Sequence, residues 1–215
     1  APVVLDEKSL RSVVEREGGC IAWGGAVALS PADDILIRIE RALDIDSEGQ
    51  MIASILSKKI AAGATHVVVD LPVGSTAKVR TPDAADRLEQ GLIAVAQRFG
   101  LHIRVVRGDG SQPIGRGIGP ALEARDVLDV LQGRPDAPAD LRMRALELSA
   151  ALLELTGTAA DRSGLTMATA ALDEGRAWSK FQSICEAQGG LRPLPTSSYR
   201  EVIAAGHAGT VAAMD

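Results

Sequence analysis

Aromatic side chains are nearly absent: the 215-residue chain holds two Trp, one Tyr and two Phe. So sparse a set excludes a platform on which the bases of a single strand could stack. It also leaves the filling of a core to Ala, Val, Ile and Leu. Cysteine is scarce as well. Cys20 and Cys185 stand far apart with no Cys-x-x-Cys or Cys/His spacing, which argues against a structural zinc site or a disulfide framework and for a reducing, cytoplasmic setting. His66, His102 and His207 show no metal-ligand spacing, so core or surface roles are expected of them. Positive charge is lacking too. The net charge is −5 and the basic residues are scattered, which provides no electrostatic footprint for DNA or RNA. No apolar run reaches membrane length and no basic-then-apolar leader is seen, so neither a membrane nor a nucleic acid is expected as partner. The chain begins at Ala1, as a processed product or an excised domain would.

What is present is an ordinary globular composition, 46% hydrophobic and 24% charged, long enough to bury a sizeable core. Asp6 to Gly18 reads as a short helix, with Leu10, Val13 and Val14 at helical spacing and a Gly pair at its end. Cys20 to Trp23 and Ile35 to Ile39 read as strands, separated by a turn-like Ser30-Pro31-Ala32-Asp33-Asp34. Ser47-Glu48-Gly49-Gln50 has the form of a capping box, in which Gln50 would reach back to the Ser47 N–H, and it opens a helix ending at Gly63. Thr65 to Leu71 is a near-continuous apolar run, the pattern of a strand buried on both faces of a parallel sheet. Thr81-Pro82 opens another helix, closed at Gly100, and His102 to Val106 is the next strand. Helices are expected over 120–132, 139–156 and 169–187. The rhythm predicts an α/β fold, a mostly parallel sheet flanked by helices with extra C-terminal helices. Its domain would span 1–188. Residues 189–215 would be a linker and the strand-like start of a further domain.

Several residues are candidates for chemistry. On the helix after Ser47, Ser54 and Lys58 lie one turn apart on the face opposite Met51, Ile52, Ile55 and Leu56. A hydroxyl beside an ammonium suits a nucleobase carbonyl or an anion; a solvated outer face has the same look. Lys59 falls inside the apolar arc and is expected to snorkel to water. Asp46 precedes the helix, where a carboxylate favours the orphan N–H groups and the dipole. It would serve as a catalytic acid only with a raised pKa. Lys78 follows the C-terminal end of the most buried-looking strand, the end at which parallel α/β sheets bind ligands. It is a candidate for a phosphate or a base, or else a surface lysine before a turn. Gly108 to Pro120 offers backbone N–H groups near a helix start, suited to an anion or simply to tight turns, and matches neither of the usual nucleotide-loop patterns.

Taken in order, Gly19-Cys20-Ile21-Ala22-Trp23-Gly24-Gly25, Pro31-Ala32-Asp33-Asp34, Asp46-Ser47, Ala53-Ser54-Ile55-Leu56-Ser57-Lys58-Lys59, Pro72-Val73-Gly74 with Ala77-Lys78, and Gln112-Pro113-Ile114-Gly115 with Gly119-Pro120-Ala121-Leu122-Glu123 resemble the thymidine phosphorylase family. The similarity covers roughly residues 5 to 135 and is nearer the AMP phosphorylase-like branch. It implies a pentosyltransferase that cleaves a nucleoside or nucleotide with inorganic phosphate as co-substrate and no other cofactor. Asp46 resembles the proton donor of that branch, Ser54 and Lys78 resemble its substrate-binding residues, and Lys58 resembles a base-contacting lysine of the thymidine enzymes. Arg38 matches their base-contacting arginine after a one-residue shift, and Asp126 corresponds to a monovalent-cation ligand of the pyrimidine enzymes. Family members are homodimers or larger. In the family a Lys- and Ser-rich phosphate loop precedes the point matching Ala1, an α-helical domain contributes to the cleft, and an α+β domain follows. Half a cleft is therefore expected here, without turnover by this chain alone. The alternative is a non-catalytic nucleotide-binding or assembly domain on the same scaffold.

Overall fold

The computed structural model describes residues 1–23, 30–43 and 47–210, without the side chains of Asp34 and Arg41. The elements among them are helices α1 (Glu7–Glu17), α2 (Pro31–Leu43) and α3 (Glu48–Ala61), strand β1 (His66–Val73), helix α4 (Pro82–Arg98), strand β2 (His102–Asp109), and helices α5 (Pro120–Leu131), α6 (Ala139–Leu155), α7 (Gly164–Asp173) and α8 (Arg176–Ala187). The strands pair in parallel, from His66 opposite His102 to Val73 opposite Asp109, with α4 as the crossover that parallel pairing requires. The chain is thus α/β, as its sequence rhythm predicts.

Local chemistry explains most boundaries. Thr81 caps α4 by accepting from the Ala84 N–H at 3.2 Å, and Pro82 sits where its missing N–H has no intrahelical partner to lose. Along α4, Ala85, Leu88, Leu92 and Ala96 recur at three- and four-residue spacing and are all buried. They meet Val67, Val69 and Leu71 from one face of β1, together with Leu56 of α3, Val79 and Leu101, as one core. The opposite face of the sheet is covered by α6. That contact is partly ionic, with Arg104 of β2 donating to Glu154 of α6 at 3.0 Å. The remaining helices pack in series, α7 on α6, α8 on α7 and α1 on α8.

Some expectations are corrected. Ile35 to Ile39 belongs to α2 rather than to a strand. Its Ile alternation mimics a period of two, but Pro31 and the acidic residues behind it suit a helical first turn. Ile35, Leu36, Ile39 and Leu43 also recur at helical spacing, and these side chains remain exposed in the folded chain. Residues 19–23 form no strand either. The buried Gln188 side chain substitutes for a partner strand, accepting from the Ile21 N–H at 2.8 Å and donating to the Ile21 and Pro2 carbonyls at 2.7 and 2.9 Å. Of the four strands expected over residues 20–106, two form among the described residues. The expected helix over 169–187 is the pair α7 and α8, broken at Gly175, whose φ of 73° ends the first helix. Residues 189–210 carry no helix or strand, so the strand-like piece expected over Gly209 to Met214 is absent at 209–210 and otherwise lies outside the described residues.

Candidate functional site

The C-terminal end of β1 opens into a cleft of about 780 Å³ between the sheet, α2 and α3, the position at which parallel sheets present ligands. Ser47, Gln50 and Ser54 line it from α3, Asp70 from β1, and Lys78 from the turn that follows. Ile37, Met51, Ile55 and Leu71 supply apolar wall beside them.

The Lys78 turn is held by backbone geometry. Val79 bridges back to Val73, with the Gly74 N–H donating to the Val79 carbonyl at 3.0 Å, and the buried Val79 side chain pins this return to the core. The loop leaving β2 lies hard against it. A Cβ on Gly74 would come within 2.5 Å of the Gly110 carbonyl carbon, so only glycine fits there. Asp70 is likewise fixed from outside the cleft: Arg144 of α6, mostly buried, donates to its carboxylate and, at 3.0 Å, to the Val106 carbonyl.

The wall formed by α2 and α3 centres on Asp33, a residue that the sequence presents as part of a turn. Asp33 is 3% exposed. Its Oδ2 takes the Ser54 hydroxyl proton at 2.9 Å and the Lys58 ammonium at 2.7 Å, and its Oδ1 accepts from the Gln50 amide at 3.3 Å. Lys58 also reaches Ser54 Oγ at 3.4 Å. Burial by itself would raise the Asp33 carboxyl, but the Lys58 and Ser54 hydrogen bonds and the Lys58 charge outweigh it, so its pKa lies below the usual carboxylate value. Gln50 therefore does not close the expected capping box. Ser47 caps α3 through the Gln50 N–H at 3.5 Å, while the Gln50 side chain turns to Asp33.

The predicted site residues thus separate. Ser54 and Lys78 share one cleft. Lys58 neighbours Ser54 as predicted, but its ammonium is engaged by Asp33 and it lies outside the cleft lining. Arg38 is exposed on α2 and also outside that lining. Asp46 falls outside the described residues. Lys59 is exposed, as expected of a snorkelling lysine. Asp126 of α5 is buried and accepts the Arg116 and Gly117 N–H groups at 2.7 Å each. These bonds hold its carboxyl below the ordinary value. The Gly115 and Gly119 N–H groups are taken by Asp140 at 3.0 Å and Glu123 at 2.9 Å. The anions met by the Gly-rich loop are thus carboxylates of the chain itself. His66 and His102 stack at the strand starts with centroids 4.7 Å apart, and among the described residues no group of three His, Cys, Asp or Glu is arranged to hold a metal ion. No described helix is long and apolar enough to cross a membrane.

Asp33 and Arg144, which hold the lining of the candidate site from behind, are the residues that sequence reasoning missed. The only signal for Asp33 was its place in the Pro-Ala-Asp-Asp motif; Arg144 carried none.

Along its whole length the chain is 61% identical to "putative thymidine phosphorylase 1" of Acidovorax sp. (strain JS42). It is 60% identical to the "putative thymidine phosphorylase" of Sphingopyxis alaskensis and 58% identical to that of Legionella pneumophila (strain Paris). The chain belongs to the family of these proteins. It spans 42% of the length of each of them. No family model matches the chain.

Proposed function

We propose that the protein to which this chain belongs is a pentosyltransferase, and that the cleft at the end of β1 is the part of its active site that holds a nucleoside or nucleotide, thymidine or AMP. Inorganic phosphate attacks C1′ of the pentose, the bond from C1′ to the base nitrogen breaks, and the electron pair leaves with the base, which takes a proton from Asp46. The products are the free base and a pentose 1-phosphate species. No cofactor takes part beyond the phosphate co-substrate, and the enzyme works in the cytoplasm as a homodimer or larger assembly. Catalysis of this kind rests on holding two partners in line and on stabilising charge that moves onto the leaving base.

The observation that carries this reading is that Ser54 and Lys78, from separate elements, face one cleft at the ligand-binding end of the sheet. Lys78 is its cation for an anionic or carbonyl oxygen, and the apolar residues beside it suit the faces of a planar ring. The residues bearing the family resemblance include this ligand-facing set and no phosphate loop, so binding rather than turnover is the test for this chain. Calorimetric titration with AMP and with thymidine should show binding of at least one, weakened about tenfold or more by Ser54→Ala and by Lys78→Ala, the effect of losing a hydrogen bond to a charged or buried partner. Binding that both substitutions leave intact would remove the cleft from consideration.

A further inference from the structure

Asp33 lies behind the cleft wall rather than in the cleft lining, and it accepts from three residues at once. A carboxylate has no proton to give, so every group facing it must turn its donor inward. Ser54 has a single hydroxyl proton, and that proton is committed to Asp33 Oδ2 at 2.9 Å. What its oxygen retains for a ligand is the lone pair that Lys58, at 3.4 Å, does not occupy. Gln50 is oriented by the same logic, since its NH2 end must face Asp33 Oδ1 at 3.3 Å, which directs the carbonyl end away from the carboxylate. Lys58, one turn from Ser54, is drawn to Asp33 at 2.7 Å and is neutralised there. At Ser54 and Gln50 the α3 wall therefore presents acceptors where the residue types alone would allow donors.

We infer that Asp33 is a specificity-determining, positioning residue: by taking the Ser54 proton and the Gln50 amide it makes this wall select a ligand edge that carries N–H donors over one that carries an acceptor oxygen at the same place. The inference rests on the proposed reading of the cleft as a nucleoside or nucleotide site and adds to it the polarity of the base edge that is read. Ile55 and Met51, flanking Ser54 and Gln50 along the same wall, favour the base rather than the sugar as the group at this edge. Buried polar atoms left without a partner are what make such discrimination large.

The test uses two probes with the same unprotonated N1, AMP with an exocyclic amino group and 6-methoxypurine riboside 5′-monophosphate with an acceptor oxygen in its place, titrated calorimetrically into the chain. AMP should bind at least about tenfold tighter. In Asp33→Asn the new amide can donate to Ser54 Oγ and free the hydroxyl proton, so the preference should fall towards unity or invert. Ser54→Ala should also abolish the preference, and it serves if the Asn variant does not fold. A preference that is absent in the wild type, or that survives Asp33→Asn and Ser54→Ala unchanged, overturns the role of Asp33 while leaving the cleft as a nucleotide site. If neither nucleotide binds while thymidine does, the inference falls and the cleft stands as a nucleoside site; if thymidine fails too, both fall.

Discussion

Replacing Gln188 with Met isolates what one buried amide contributes to holding the N-terminal segment. Gln188 is 5% exposed and makes three hydrogen bonds, from the Ile21 N–H at 2.8 Å and to the Ile21 and Pro2 carbonyls at 2.7 and 2.9 Å. Met nearly conserves volume and shape, so little of the loss is packing. With each bond contributing about 1 kcal/mol net, the substitution should cost about 3 kcal/mol, somewhat more where a backbone group is left dry. For a urea slope of about 2 kcal/mol per molar, that is a midpoint lowered by roughly 1.5 M. Trp178, stacked on Phe181 in α8 and nearly three turns before Gln188, provides a fluorescence probe on the element that the amide anchors. Gln188→Glu sharpens the test. A carboxylate still accepts from the Ile21 N–H but meets two carbonyl oxygens as a third acceptor, so at neutral pH it should be no better tolerated than Met. A loss below about 0.5 kcal/mol for Met would refute the reasoning, because it would mean that water replaces the amide at no cost.

Two further outcomes follow from the site. The folded-state pKa of Asp33 lies below its ordinary value, so its contribution to stability is complete above the unfolded carboxylate pKa and is lost as pH falls through the folded one; acid titration by circular dichroism should show Asp33→Asn less stable than wild type at neutral pH and the gap closing at low pH, whereas a gap that is constant with pH would deny the ion pair with Lys58 any role. Gly74→Ala puts a Cβ 2.5 Å from backbone of Gly110, a clash costing about 1–3 kcal/mol, and because Lys78 hangs on the same turn, AMP affinity should fall with it; an unfolding midpoint equal to wild type would contradict the close approach.

The parts of the fold that could be read from residues alone are those governed by neighbours in the chain. Thr81 with Pro82 as a helix start, Ser47 as a cap and the burial rhythm of α4 depend on local hydrogen bonds and on a pitch of 3.6, and each appears where its residues predict. The run from Thr65 to Leu71 likewise announces a strand, but the burial expected on both faces is met on one: Val67, Val69 and Leu71 are buried, Val68 is half-buried and Asp70 is exposed. Helix α2 was hidden because the alternation of Ile35, Ile37 and Ile39 carries strand propensity and outweighed the helical spacing of Ile35, Leu36, Ile39 and Leu43. The break at Gly175 was hidden because an isolated glycine in a helical pattern is tolerated as often as it terminates one.

The candidate site divides along the same line. Residue type and spacing suffice to pair Ser54 with Lys58, since one turn of helix makes them neighbours whatever surrounds them, and to place Lys78 beyond the end of a parallel strand. That Ser54 and Lys78 face the same cleft depends on how α3 packs on the sheet. That Lys58 turns away from it, and that Ser54 keeps only a lone pair, depends on a carboxylate brought in from α2. A hydroxyl and an ammonium have several states available in isolation; only the buried acid placed against them by tertiary packing decides which one the ligand meets.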